Sequence, residues 1–309
     1  MGTPQIAVSI LETLYNSPHF EIVLVVTEPD KPAGHNTFPV ASPVKKIALS
    51  HNLKILQPKK IIEISSDLQK SNAEIALVTA YGQIIPKEIL NIFPKGILNV
   101  HFSLLPKYRG ASPIQYSLLN GDKITGTTLM RIDEKMDTGQ ILAQKELKIE
   151  PDDDFATLSQ KLTKISSEIL EQNILDFISG KLKPKTQDNS KATYTKMLKK
   201  ENGLIDWIKP AKKIANQIRA FSIWPKSYTY FQNKRIIIKK ALSSTIESEM
   251  PSAAGTVFIE KKSRKIAVQC GKDSLIIDIL QLEGKKEMSS RDFLNGHPQI
   301  IGEVLKNKN

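Results

Sequence analysis

Residues 96–110 read GILNVHFSLLPKYRG, and polar side chains enter this apolar run at Asn99 and His101. The apolar part is typical of a strand buried in an α/β sheet, in which ligands bind beyond the carboxyl ends of the strands. The run therefore predicts a strand over residues 97–102 with a functional site where it ends.

Asn99 and His101 are two positions apart, so on a strand their side chains lie on the same face. An amide can donate a hydrogen bond to a developing oxyanion, and an imidazole can donate or accept a proton near neutral pH. Polar residues at strand ends more often satisfy nearby backbone groups, so the pair alone leaves both interpretations open. Asp137, in Asp137-Thr138-Gly139, follows another predicted strand, where it either organises a turn or orients His101.

Short β-rich runs alternate with helical patterns around this strand, which predicts a largely parallel, Rossmann-like α/β sheet covered by helices. The other predicted strands, with one extended segment, span residues 22–27, 53–56, 75–81, 127–132 and 139–149. The predicted helices span residues 4–15, 43–51, 87–93, 113–120 and 155–179.

The sequence changes character after residue 182. We expect an N-terminal catalytic domain over residues 1–182, a polar linker over 183–203 and a C-terminal domain over 204–309. A helix over 210–221 followed by short strands predicts a small antiparallel, OB-like β-barrel in the C-terminal domain. Its predicted strands span residues 228–231, 235–239, 255–260, 266–269 and 275–282.

Charge is distributed unevenly along the chain. Residues 1–189 contain 21 Lys and Arg and 21 Asp and Glu, whereas residues 190–309 contain 23 and 11, so the formal net charge of +12 comes from the last third. Clustered cations bind the phosphates of nucleic acids by releasing counterions, although a generally Lys-rich proteome would also give a basic surface.

Cys270 is the only cysteine, which excludes an intramolecular disulfide, argues against a Cys-based metal cage and fits a reducing cytoplasm. No apolar run approaches the roughly 20 residues that cross a bilayer.

Motifs along nearly the whole chain match one known family. They include Gly2-Thr3-Pro4, Pro29-Asp30-Lys31-Pro32-Ala33-Gly34, Asn99-Val100-His101, Ser103-Leu104-Leu105-Pro106, Arg109-Gly110, Asp137-Thr138-Gly139, Ile218-Arg219-Ala220-Phe221 and Trp224-Pro225. With this combination the chain resembles the methionyl-tRNA formyltransferases of bacteria and organelles.

The resemblance implies an enzyme that uses 10-formyltetrahydrofolate and no metal. Asn99 and His101 would stabilise the tetrahedral oxyanion, and Asp137 would keep His101 oriented and protonated and assist proton removal from the amine. Main-chain groups near Tyr81 and Gly82 would help to hold the pterin. The residues that would line the tetrahydrofolate site are Ser103, Leu104, Leu105 and Pro106.

The implied acceptor is the methionine carried by initiator tRNA, and we expect a cytoplasmic monomer with no membrane partner. Family members typically carry several Lys and Arg after Gly34, whereas residues 35–40 of this chain read HNTFPV. We therefore expect Phe38 to contact the acceptor end and the salt-dependent affinity to fall on cations of the second half. These cations are Lys196, Lys199, Lys200, Lys212, Lys213 and Arg219, together with those of the predicted barrel.

The N-terminus departs from the family pattern. Family members begin with a β-strand that leads into the Gly-Thr-Pro turn, whereas Met1 directly precedes Gly2 in this chain. That strand would be central in the sheet, so we expect its absence to expose two strand edges and apolar helix faces. A misassigned start or a truncated chain would explain the difference.

Two other functions remain open. A formyltransferase with a small acceptor, such as glycinamide ribonucleotide or an amino sugar, would share Asn99, His101 and Asp137 but gives no reason for the basic C-terminal part. A non-enzymatic RNA-binding protein would explain the charge but not the three polar residues. We therefore predict formyl transfer to methionyl-tRNA.

Overall fold

The computed structural model describes residues 1–32, 38–246 and 253–305. The chain divides into two compact units whose segments alternate along the sequence. The first contains Met1–Pro113, Ile124–Lys148 and Ser159–Thr195, and the second contains Ile114–Lys123, Ile149–Leu158 and Lys196–Asn309.

Helices and short strands alternate through residue 195, as the sequence predicts. The helices are α1 (Gln5–Asn16), α2 (Pro43–Ser50), α3 (Ser65–Lys70), α4 (Lys87–Leu90), α5 (Pro113–Asn120) and α6 (Phe155–Ile178). The strands are β1 (Val25–Val26), β2 (Lys31–Pro32), β3 (Pro39–Val40), β4 (Ile55–Leu56), β5 (Ala76–Val78), β6 (Ile97–His101), β7 (Arg109–Gly110), β8 (Ile124–Arg131), β9 (Ile141–Lys148) and β10 (Tyr194–Thr195).

The α/β class is confirmed, but the sheet is mixed. Parallel pairing joins β1 to β4 and β5 to β6, which is the Rossmann-like part. The main sheet has the order β5-β6-β8-β9, and its β6–β8 and β8–β9 pairs are antiparallel. The Rossmann-like prediction therefore holds for the parallel pairs, and β8 and β9 add two antiparallel pairs that it did not include. Residues 132–140, which connect β8 to β9, are too few for the crossover of about a dozen residues that parallel neighbours need.

Local sequence explains where two of the helices begin. Ser42 caps α2 because its Oγ accepts a hydrogen bond from Lys45 N at 3.1 Å. Before α6, Asp154 Oδ1 accepts from Thr157 N and Thr157 Oγ1 accepts from Asp154 N, both at 3.0 Å. This reciprocal cap fixes the start of α6, close to the predicted residue 155.

Met1 and Gly2 lie between β1 and β5. The Met1 amino group donates to Leu77 O at 2.7 Å, Thr79 N donates to Met1 O at 3.0 Å, and Gly2 N donates to Val26 O at 3.0 Å. These bonds join the two parallel strand pairs at one end. An apolar cavity of about 510 Å³, lined by both strands and by α1, adjoins these residues.

After residue 195, the α-helices and strands of the second unit are α7 (Ala211–Ala220), β11 (Ser227–Phe231), β12 (Lys234–Ser244), β13 (Val257–Ile259), β14 (Ile266–Gln269), β15 (Ser274–Leu282), β16 (Glu287–Ser289) and α8 (Ser290–Gly296). The antiparallel sheet of this unit has the order β11-β12-β15-β14-β13, and a further strand, β16, pairs with β15. Side chains of α7 and β15, among them Ile214 and Ile277, belong to one buried apolar cluster. Pairing among the described residues does not close this sheet into a barrel. β16 and α8 were not predicted.

None of the helices in the described ranges combines the length and the hydropathy of a membrane span.

Candidate active site

The predicted site lies where β6 ends, next to the carboxyl end of the parallel strand β5. Asn99 pairs with Val78 of β5 and with Met130 of β8, and His101 pairs with Thr128 of β8. The loops that follow β5 and β6 therefore leave the same edge of the sheet, which is where an α/β sheet holds its ligands.

His101 is held by groups on two loops. Its side chain is buried, with Nε2 at 2.9 Å from Tyr108 O and Nδ1 at 3.7 Å from Asp137 Oδ2. Because a carbonyl oxygen only accepts hydrogen bonds, Nε2 carries a proton. Nδ1 is then the nitrogen that remains for a substrate, and a proton on it would face the Asp137 carboxylate.

Asp137 lies in the loop between β8 and β9. Its Oδ2 accepts a hydrogen bond from Gly110 N at 2.7 Å, which fixes the carboxylate on the side of His101. Asp137 has φ +52°, and Tyr108 and Ser112 also have positive φ, at +63° and +64°. Such conformations are strained for residues other than glycine and are concentrated at functional sites.

Asn99 is the third of the five residues of β6, and it is partly exposed. Within residues 1–32, 38–246 and 253–305, its side-chain amide makes no hydrogen bond to the protein. The amide is therefore able to donate to a bound group.

The loop after β6 is held by two polar side chains that the sequence analysis missed. Thr128 Oγ1 donates to Ser103 O and accepts from Leu105 N at 3.1 Å. Gln144 Nε2 donates to Leu105 O and to Thr128 Oγ1, at 2.8 and 2.9 Å. Ser103 and Leu105 are buried, whereas Leu104 and Pro106 are partly exposed. Thr128 and Gln144 face each other on β8 and β9, an antiparallel pairing that the sequence did not predict.

Tyr81 and Gly82 follow β5. The Tyr81 ring is buried, its hydroxyl has no hydrogen-bond partner among the described residues, and Tyr81 O accepts from Thr3 Oγ1 at 3.2 Å. Burial, with a smaller contribution from Glu28, raises the pKa of Tyr81 to about 12. Gly82 is exposed with φ +91°, a conformation that favours glycine.

The residues predicted to bind tRNA differ in their surroundings. Phe38 is 81% exposed. Arg219 is partly buried and donates to Pro151 O at 3.2 Å, to Asp153 O at 2.9 Å and to Asn216 Oδ1 at 2.8 Å. Residues 35–37 of the predicted tRNA loop lie outside the described residues. The exposed cations are Lys196, Lys199, Lys200, Lys212 and Lys213.

A cavity of about 610 Å³ adjoins the Asp137 loop. Arg109, Lys135 and Thr138 contribute to its lining. The described part of the chain contains no group of three or more His, Cys, Asp or Glu side chains suited to a metal ion.

Comparison with known proteins matches nearly the whole chain to one family. Residues 1–174 match the formyl transferase family model, and residues 197–298 match the model of the formyl transferase C-terminal domain. The chain is 40% identical to the methionyl-tRNA formyltransferase of Caldanaerobacter subterraneus subsp. tengcongensis, covering 99% of this chain and 98% of that one. It is 41% identical to the enzyme of the same name from Caldicellulosiruptor saccharolyticus, with the same coverage. The chain belongs to the methionyl-tRNA formyltransferase family.

Solved structures of other formyltransferases are similar to this family member. A sugar 3N-formyl transferase, WlaRD, solved with dTDP and 5-N-formyl-THF, is 26% identical with a TM-score of 0.63, covering 92% of this chain and 97% of that one. An N-formyltransferase from Helicobacter canadensis has a TM-score of 0.65 at 22% identity, covering 89% and 97%, and supports the fold alone.

Proposed function

We propose that this chain transfers the formyl group of 10-formyltetrahydrofolate to the amino group of methionine on initiator tRNA, which gives N-formylmethionyl-tRNA for translation initiation. The observation that carries the proposal is the contact of 3.7 Å between His101 Nδ1 and Asp137 Oδ2, with Asn99 two positions before His101 on the same face of β6, in a chain about 40% identical to methionyl-tRNA formyltransferases over nearly its whole length.

The geometry fits the chemistry of acyl transfer. The folate supplies the formyl group, and the methionyl nitrogen bonds to the formyl carbon as the bond from that carbon to folate N10 breaks. The Asn99 amide, which has no hydrogen-bond partner among the described residues, donates to the formyl oxygen as negative charge develops there. His101, fixed through Nε2 to Tyr108 O, presents Nδ1 to the same charge. Asp137 stabilises the protonated imidazole and accepts the proton that the amine loses through water, while N10 gains one.

The loop after β6 and the turn after β5 are the proposed folate site. Thr128 and Gln144 hold the backbone of residues 103–106 by hydrogen bonds, so this loop is ordered before a ligand binds. Such preorganisation lowers the entropic cost of binding. The Gly82 backbone, with no Cβ, allows a planar ligand to approach closely.

The basic second unit supports a tRNA acceptor. Its exposed lysines would neutralise phosphates of the acceptor arm, and Phe38 would stack against the end of that arm.

The same proposal includes two domains, over residues 1–182 and 204–309, joined by a linker over residues 183–203. It also includes an OB-like barrel formed by curling of the C-terminal sheet. The protein would act as a monomer in the cytoplasm, where initiator tRNA is charged.

Substitution of Asp137 tests the mechanism. Asp137→Asn keeps the volume and the contact with Gly110 N but removes the charge, so turnover should fall by roughly 10²-fold or more while the fold is retained. Single-turnover transfer from 10-formyltetrahydrofolate measures this. Wild-type turnover of the variant would remove Asp137 from the mechanism.

The acceptor is tested separately by offering 10-formyltetrahydrofolate with bulk aminoacylated tRNA, with glycinamide ribonucleotide and with an amino sugar nucleotide. Transfer only to initiator methionyl-tRNA supports the proposal. Transfer to a small amine, or tRNA binding without transfer, contradicts it.

A further inference from the structure

Gln187 connects the Asp137 loop to a buried arginine. Its Nε2 donates to Asp137 O at 2.9 Å and to Gly139 O at 2.7 Å, and its Oε1 accepts from Arg109 Nε at 3.1 Å and from Nη2 at 2.8 Å. The side chain is 6% exposed. Because carbonyls only accept and a guanidinium only donates, these four contacts determine the orientation of the amide.

Arg109 is 1% exposed, which is unusual for a charged side chain. Its Nη2 also donates to Asn189 Oδ1 at 2.8 Å. Among the residues that the structure describes, no carboxylate forms an ion pair with it. Hydrogen bonds from a charged donor are stronger than those between neutral groups. Arg109 therefore holds the Gln187 oxygen more firmly than a neutral residue would.

Asp137 needs support on both its main chain and its side chain. Its φ of +52° is strained, and residues 132–140 form no helix or strand. Gly110 N holds the carboxylate, and Gln187 holds the carbonyl of the same residue. Arg109 and Gly110 are the two residues of β7, so both supports originate from one strand.

We propose that Gln187 is a positioning residue that keeps the Asp137 carboxylate beside His101, and that Arg109 holds Gln187 in the orientation this requires. Gln187 touches neither His101 nor the Asp137 carboxylate directly; it acts through the backbone of the loop. The inference rests on the catalytic role proposed above for Asp137.

Gln187→Glu is the informative variant. A glutamate keeps the size of the side chain and an oxygen for Arg109, but it has no N–H for the carbonyls of Asp137 and Gly139. Because a misplacement of about 1 Å can lower a rate by about 10²-fold, kcat should fall about 10- to 100-fold, while KM for both substrates changes less than about threefold.

Gln217→Glu is the matched control. Gln217 is 7% exposed in the second unit, and its Nε2 also donates to main-chain carbonyls, those of Asn202 and Gly203, at 3.4 and 3.2 Å. In this variant too a carboxylate replaces a buried amide that donates to main-chain carbonyls, but the position is away from Asp137. Its kcat should therefore stay within about twofold of wild type.

A double-mutant cycle with Asp137→Asn tests whether Gln187 acts through Asp137. In that background the loss caused by Gln187→Glu should shrink to less than about threefold, because the group being positioned is no longer functional. An undiminished loss would overturn the proposal. If the glutamate variant does not fold, Gln187→Met, which also lacks the donors, replaces it with the same expectations.

The two proposals fail in distinguishable ways. Wild-type turnover of Asp137→Asn would overturn the catalytic assignment and the positioning role together. An inactive Asp137→Asn with wild-type kcat in Gln187→Glu or Gln187→Met would overturn the positioning role alone.

Discussion

Substitution of Gly139 by alanine should damage both stability and turnover, because Gly139 faces the backbone of β8. A Cβ on residue 139 would lie 1.8 Å from Arg131 O, and Cβ contacts below 3.0 Å essentially do not occur, so the segments must separate by at least about 1.2 Å. That movement would disrupt the bonds from Arg131 N to Gln140 O and from Gln187 Nε2 to Gly139 O. At about 1 kcal/mol for each bond and about 1–3 kcal/mol for overpacking, the variant should lose roughly 3–5 kcal/mol.

The same movement carries Asp137, so kcat of the folded variant should fall by about 10²-fold. Urea unfolding is followed by far-ultraviolet circular dichroism, because both tryptophans, Trp207 and Trp224, lie in the second unit and would not report on the first. Gly296→Ala is the control, since an added Cβ there has no neighbour within 4 Å. Equal urea midpoints and equal kcat for the two variants would refute the reasoning.

Two further predictions concern the second unit. Burial raises the pKa of the Cys270 thiol to about 12, so the native protein should react with Ellman's reagent at pH 8 only as fast as it opens, and unfolding should release one thiol. In the unfolded chain the Cys270 thiol has its ordinary pKa of 9.0, so it loses its proton at a lower pH than the native thiol does. The free energy of unfolding should therefore decrease as the pH rises above 9.0. Replacing Lys199, Lys200, Lys212 and Lys213 by alanine should flatten the dependence of log Kd for tRNA on log salt, by about 0.7–0.9 for each phosphate that is no longer neutralised; an unchanged slope would show that tRNA binds elsewhere.

The sequence predicts local features of the fold better than nonlocal ones. The apolar run through Leu98 predicts β6, and the spacing of Asn99 and His101 predicts their shared face, because both depend only on strand geometry. The direction of the β6–β8 pair depends on how the chain returns between them, which periodicity does not encode. The short elements β16 and α8 give little periodic signal, so the sequence does not predict them.

The predicted site residues were chemically distinctive, whereas their supports were not. Asn99, His101 and Asp137 have functional groups that suggest chemistry at strand ends. Gln187 is an ordinary polar residue in a polar run, and its importance depends on carbonyls that lie 48 and 50 positions earlier. Only the folded structure brings these groups together.

The hydrogen bonds between Arg109 and Gln187 also bear on the order in which the protein is made. Arg109 and the Asp137 loop leave the ribosome well before Gln187 and β10, which pairs with β7 over a separation of 85 positions. A nascent chain that has emerged only to residue 182 therefore contains Asn99, His101 and Asp137 but leaves the Arg109 guanidinium without its Gln187 acceptor. The first compact unit is complete only when Thr195 has emerged, so the proposed active site is finished by the segment that leads into the second unit.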